Sequence, residues 1–334
     1  MTRLLAPTRA EGGPGRGPAP RREIVDAPTR SDRVFNAVTM AAGLSVLVIL
    51  GLVGLFLLLR GRDAFSAMGP QFFTTTEWRT DTNPKHIGVL GLLSGTVIVA
   101  VIAVLIAIPL GTCAAVFITD YASARIRRLL TNIVDLLAAI PSLLFGIWGF
   151  LYLGAQIAPL SEFLAEHFGW IPFFATEDRA NFTGSMFIAG IVVSLMVLPI
   201  IAAVGREVFS QAPPAEKEGA LALGGTRWAM VRTVVLPYGK GGIVGASMLG
   251  LGRALGETIA VSLLLPQVPA LTGRVLENGG ATISGFIALR AGGDDFTVSG
   301  LMAAGAVLFV MTLGTNMGAS LVIARSRSGA GVDS

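Results

Sequence analysis

Cysteine is almost absent from this chain. Cys113 is the single one among 334 residues, so no internal disulfide can form. Histidine is nearly as scarce: His86 and His167 fall in separate segments. No HExxH occurs, so neither a zinc centre nor an activated nucleophile suggests itself. Charge is thin as well, at 14% Asp, Glu, Lys and Arg, against about 25% in an average soluble domain. No Walker A sequence is present, which excludes ATP hydrolysis by this chain itself. The stretch LGLGRALG (249–256) has the glycines of a nucleotide loop. It lies inside an apolar run with no preceding strand, so the match is empty.

What is present is apolar. Hydrophobic residues make up 53% of the chain, with 42 glycines and a mean hydropathy of +0.71. Abundant glycine suits membrane helices, where small residues let backbones approach. Six runs reach the roughly 20 apolar residues that a hydrocarbon core requires. They cover 34–59, 88–118, 129–157, 183–204, 241–265 and 298–324. The composition therefore predicts an all-α polytopic membrane protein, with the transmembrane domain over 34–324. Residues 1–33, rich in Pro, Gly and Arg, read as a disordered tail. Residues 325–334 form a second short tail.

The basic residues set an orientation. Seventeen of the 25 Lys and Arg fall in residues 1–33, 125–128, 205–240 and the C-terminal tail; seven fall in the alternate segments. That asymmetry puts both termini on the cytoplasmic side. It also accounts for the net charge of +4 without any nucleic-acid partner.

The remaining basic residue is Arg253, twelve residues from each end of the 241–265 run. An arginine at mid-bilayer costs about 2.5–3.5 kcal/mol on insertion scales. Four residues on is Glu257, a spacing that puts both side chains on one helical face. Two readings compete. The pair can be a salt bridge that holds helices in register, or a cationic waypoint for an anion that Glu257 keeps from binding too tightly. Gly252 and Gly256 have the GxxxG spacing of close helix packing. Asp135, in the third run, reads as a carboxylate near the interface, satisfied by Arg128 or by a helix N-terminus.

Residues 205–240 are too patterned for a plain loop. Pro213 and Pro214 end one helix, and a short helix over 215–223 has acidic residues in its first turn. Gly224-Gly225 then stops it, and a further amphipathic stretch runs to Leu236 before Pro237 breaks it. Glu218-Gly219-Ala220, Gly224, Val234 and Leu236-Pro237 have the spacing of the EAA loop. The segment thus resembles the coupling loop of binding-protein-dependent ABC-importer permeases. Gly219 and Val234 depart mildly from that pattern, where alanine and isoleucine are usual.

GRALGET (252–258), LLAAIPSLLFGIWG (136–149) and the aromatics Phe72, Phe73 and Trp78 resemble the PstC family of phosphate-importer permeases more specifically. The resemblance covers most of 34–324. It implies the type I (MetI-like) permease fold of six transmembrane helices in a bacterial cytoplasmic membrane, working by alternating access. It implies Arg253 and Glu257 in the phosphate path, with Asp135 as a possible supporting acid. It also implies a second, PstA-like permease, a PstB-like ATPase dimer that holds ATP and Mg, and a PstS-like extracytoplasmic phosphate-binding protein. No cofactor is expected on this chain. A same-architecture permease for sulfate, molybdate or phosphonate is the alternative, and a membrane-embedded enzyme a remote one.

Overall fold

The computed structural model describes residues 30–80, 85–177 and 180–327, with side chains through 318 and at 320 and 321. The expected tails lie outside the described residues, apart from 30–33 and 325–327, which are helical. Thirteen helices occur among the described residues. Six helical stretches are long and apolar enough to cross a membrane: Arg30–Met68, Leu90–Tyr121, Ser142–Phe168, Met186–Ser210, Arg227–Gly256 and Asp295–Gly318.

Helix α1 (Arg30–Met68) is exposed at every residue from 30 to 52. The described residues from 53 onward form a second unit. In that unit α1 ends at Gly69, whose φ of +53° suits glycine. The short α2 (Gln71–Thr74) follows. Strands β1 (Trp78–Arg79) and β2 (His86–Ile87) then pair antiparallel, with Trp78 opposite Ile87. Ala64, Phe72, Trp78, Ile87 and Phe286 share one apolar cluster at this end of the unit. Phe65, Phe72 and Phe73 form edge and stacked ring pairs beside it.

Helix α3 (Leu90–Val116) continues through Pro109 and ends in a wide π turn over Phe117–Tyr121. Next come α4 (Ala124–Ala139) and α5 (Ser142–Trp148), then a π turn at Gly149–Leu153 and α6 (Gly154–Phe168). The third span therefore begins at Ser142, not at 129 as the apolar run suggested. Pro141 is the reason. It holds Ile140 in an extended conformation (ψ 127°), which stops α4. Asp135 thus belongs to a separate amphipathic helix outside the span.

Helix α7 (Met186–Ser210) lies at the centre, packed against α3 and against α10 (Leu236–Gly256). Val192, Val193, Val197 and Ile201 of α7 meet Val99, Ala103 and Ala107 of α3 and Ala246 and Ala254 of α10. Close approach depends on glycine: a Cβ on Gly250 would come within 2.6 Å of Val197 Cγ1. Gly250→Leu is expected to push α10 from α7 and to lower the yield of folded protein, which detergent size-exclusion profiles would show.

Between α7 and α10 come α8 (Pro214–Ala222) and α9 (Arg227–Met230), the latter continuing through a π turn at Val231–Val235 into α10. The expected break at Pro237 does not occur. The π turn shifts the backbone hydrogen-bond ladder just before Pro237, which sits in the first turn of α10, where its missing N–H is tolerated. The chain then runs through α11 (Ile259–Leu264), an irregular segment, α12 (Ile283–Arg290) and α13 (Asp295–Arg327).

Two ion-pair groups fasten the segments between these helices. Arg274 bonds Glu177 and lies 3.8 Å from Glu277, and its guanidinium is shifted upward chiefly by the hydrogen bond to Glu177. Lys85 bonds Asp294, which also accepts from Thr297; mainly the lysine, then Thr297, lowers the Asp294 carboxyl to about 2. A depressed carboxyl stabilises the fold above its ordinary value of 3.8, and that contribution disappears as pH falls through about 2. Titration of Asp294 by carboxyl NMR is expected to show this low midpoint. Lys85→Met is expected to raise it toward 3.8.

Candidate substrate path and coupling surface

The depth of Arg253 follows from packing. Gly250 rests on Val197 and Ile201, and Val197 is near the midpoint of α7, Met186–Ser210. Arg253 is three residues further along, about 4.5 Å of helix rise. It is therefore near the middle of the span even though α10 ends at Gly256. Ala246, Gly250 and Ala254 form the buried stripe of α10. Arg253 lies off that stripe and is exposed, as are Leu249 (58%) and Gly256. No ion pair or hydrogen bond of its side chain occurs among the described residues.

Glu257 does not share a helical face with Arg253. The helix stops at Gly256, and Glu257 is extended, with φ −64° and ψ 125°. It is buried, 8% exposed. Its Oε1 accepts from the Ala260 N–H at 3.4 Å, a free donor in the first turn of α11, and its backbone carbonyl accepts from Ser284 Oγ at 2.6 Å. The salt bridge that was one of the two readings is absent among the described residues, because the carboxylate caps the next helix instead. The GxxxG expectation also changes. A Cβ on Gly252 would meet only Asn316 Oδ1, at 3.6 Å, and one on Gly256 nothing within 4 Å. The close-packing glycines of this helix are Gly239, Gly242 and Gly250, each of which meets an α7 side chain.

Asp135 pairs with Arg206 of α7 at 3.2 Å, not with Arg128. It lies far along the chain from both Arg253 and Glu257, on α4, and ties that helix to the end of α7.

The 205–240 segment presents a projecting edge. Glu218, Gly219, Leu221 and Gly224 are exposed, and Leu223 is 91% exposed. Gly224 has φ +83°, the left-handed conformation that ends α8 at its C-terminus. Thr226 then caps α9 by accepting from the Ala229 N–H at 3.2 Å. Ala220 turns inward against a cluster of Ala115, Val116, Phe209, Met230, Val231 and Val235, with Leu236 beside it. Pro237 is exposed. A contact that sequence reasoning missed lies underneath: Lys217 Nζ is 2.8 Å from Asp120 Oδ1, across 97 residues.

A bundle of membrane-length helices with an unpaired arginine at mid-depth and an exposed helical elbow at one end defines a polytopic membrane permease. Residues 107–325 match the family described as binding-protein-dependent transport system inner membrane component, and the chain belongs to that family. It is 39% identical over 298 residues to a Mycobacterium tuberculosis protein named "Phosphate transport system permease protein PstC 2", covering 88% of this chain and 92% of that one. A Xylella fastidiosa protein named "Phosphate transport system permease protein PstC" is 37% identical over 330 residues, covering 97% and 96%.

Among solved structures, a bacterial alginate ABC transporter in complex with an alginate-pentasaccharide-bound periplasmic protein has a chain of similar fold. Its TM-score is 0.56 at 18% identity, covering 86% of this chain and 94% of that one. A second structure, of a bacterial ABC transporter involved in alginate import, gives 0.52 at 17% identity, covering 88% and 99%. The fold is that of ABC-importer permeases of the MetI-like type.

Proposed function

We propose that this chain is the PstC-like, path-forming subunit of an ATP-driven phosphate importer, and that Arg253 is its anion contact. The observation that carries the reading is the isolated guanidinium of Arg253 on the outer side of α10 at mid-depth. Facing lipid, such a charge costs about 2.5–3.5 kcal/mol. Covered by a second, PstA-like permease around a watery passage, it serves an oxyanion, for which a guanidinium fork is suited. Glu257 borders the path through the helix break it caps, rather than by neutralising the arginine. Asp135 supports the bundle through Arg206 and has no part in the anion contact.

The exposed edge of Glu218, Gly219, Leu221 and Leu223, framed by Gly224 and Pro237, is the docking surface for a PstB-like ATPase dimer, which holds the ATP and Mg. Phosphate arrives from a PstS-like extracytoplasmic binding protein. Both termini lie in the cytoplasm of a bacterial cell, in line with the positive-inside distribution. Closure of the ATPase dimer would move α8 and switch the path between its two openings. The names of the relatives support phosphate over sulfate, molybdate or phosphonate. They give the enzyme reading no support.

The test is uptake of labelled phosphate by vesicles holding the two permeases, the ATPase and the binding protein. ATP-dependent accumulation that excess sulfate, molybdate and phosphonate leave intact is expected. No accumulation of phosphate, with ATP-dependent accumulation of labelled sulfate, molybdate or phosphonate in the same vesicles, would transfer the assignment to that anion.

A further inference from the structure

Lys217 is the only basic residue of α8, and it points inward. Its side chain is 19% exposed, and that of Asp120 only 5%. The ammonium reaches two other elements at once. It donates to Asp120 Oδ1 at 2.8 Å, on the π turn that ends α3, and to the Phe209 carbonyl at 3.3 Å, near the end of α7. The π turn is itself held from the far side. Arg127 of α4 donates from Nε to the Ile118 carbonyl at 2.9 Å and from Nη2 to the Thr119 carbonyl at 2.7 Å. Beside the lysine, Ala220 packs against Ala115, Val116 and Phe209.

The pair is poorly optimised as scaffold. Asp120 Oδ2 is buried without a hydrogen-bond partner, and an unsatisfied carboxylate oxygen is destabilising. Two apolar residues of similar volume would commonly hold such a site at least as well. What a buried charge pair adds is a fixed, directional connection. Apolar contact through Ala220 alone can slide.

We propose that Lys217 is a positioning residue for transport: through Asp120 and the Phe209 carbonyl it joins α8 to the ends of α3 and α7, so that these elements move as one body. This rests on the reading of 205–240 as the ATPase-docking segment. With the tie cut, α8 can follow the ATPase while the spans stay behind, and hydrolysis is then uncoupled from uptake.

The test uses the complete importer in vesicles, with phosphate uptake and ATP hydrolysis measured together. Lys217→Met is expected to retain the ATPase and its hydrolysis but to lower phosphate moved per ATP about fivefold or more. Lys217→Arg is expected to keep most of the ratio. In a Cys113→Ala background, Asp120→Cys with Lys217→Cys should behave like Lys217→Met until a short thiol cross-linker joins the two positions. Cross-linking should then restore the ratio, and its reductive cleavage should remove it again. A normal ratio in Lys217→Met, loss of the ATPase from that variant, or a cross-linked pair that stays uncoupled would each overturn the proposal. A silent Gly224→Val would instead reject the docking role of the whole segment. Uncoupling by Gly224→Val with a normal Lys217→Met rejects the tie alone.

Discussion

Arg253→Ala is expected to reduce phosphate uptake by about a hundredfold, with the protein still inserted and still associated with its partners. The magnitude follows from losing a charge-assisted contact to the anion, at about 1.5–3 kcal/mol for a hydrogen bond to a charged group. Assembly should survive because Arg253 has no bond to the rest of the chain among the described residues, so its loss leaves no buried group unpaired. The packing stripe of α10, Ala246, Gly250 and Ala254, is untouched. Arg253→Lys should retain part of the uptake, since an ammonium supplies charge without the planar fork. Normal uptake by Arg253→Ala, in a complex shown to be assembled, would remove the anion contact from the proposal. An arginine serving only as scaffold would give the reverse pattern, with assembly lost first.

The second large effect is expected at Gly224. Its φ of +83° lies in the region that β-branched residues avoid, although a Cβ there would meet nothing within 4 Å. Gly224→Val therefore strains the backbone without any steric clash. The turn between α8 and α9 must re-form, and the exposed Leu223 edge is displaced with it. Loss of the co-purified ATPase, or hydrolysis without uptake, is the expected result. Gly224→Ala should be milder and Gly224→Asn milder still, because asparagine tolerates left-handed backbone. Undiminished ATPase recovery and uptake in Gly224→Val would show that the turn is not part of the docking surface.

Much of this architecture was legible from hydropathy alone, because a bilayer imposes a length on every crossing segment. The helical elbow was legible for a different reason: Gly224 and the Pro213-Pro214 pair have backbone requirements that few other residues meet. The sequence was less informative where two apolar helices abut. Leu136 and Leu137 of α4 run almost directly into Leu143 and Leu144 of α5, and only Pro141 marks the boundary. Glu257 misled by its spacing. Four residues from Arg253 implies a shared face only if the helix continues, and Gly256 ends it. The Lys217–Asp120 contact could not be inferred at all, since nothing local connects residues 97 apart.

The break after Gly256 divides the fifth span into a long rod and a short fixed piece. From Arg227 to Gly256 the helical backbone is unbroken for 30 residues, roughly 45 Å at the usual rise. A push delivered at the elbow would therefore travel along that shaft to the guanidinium near its tip. Glu257 stands past the joint, moored by Ser284 and by the α11 backbone, and need not follow. Cation and carboxylate, neighbours in sequence, are thus mounted on different helical pieces, the one on the shaft and the other past its end.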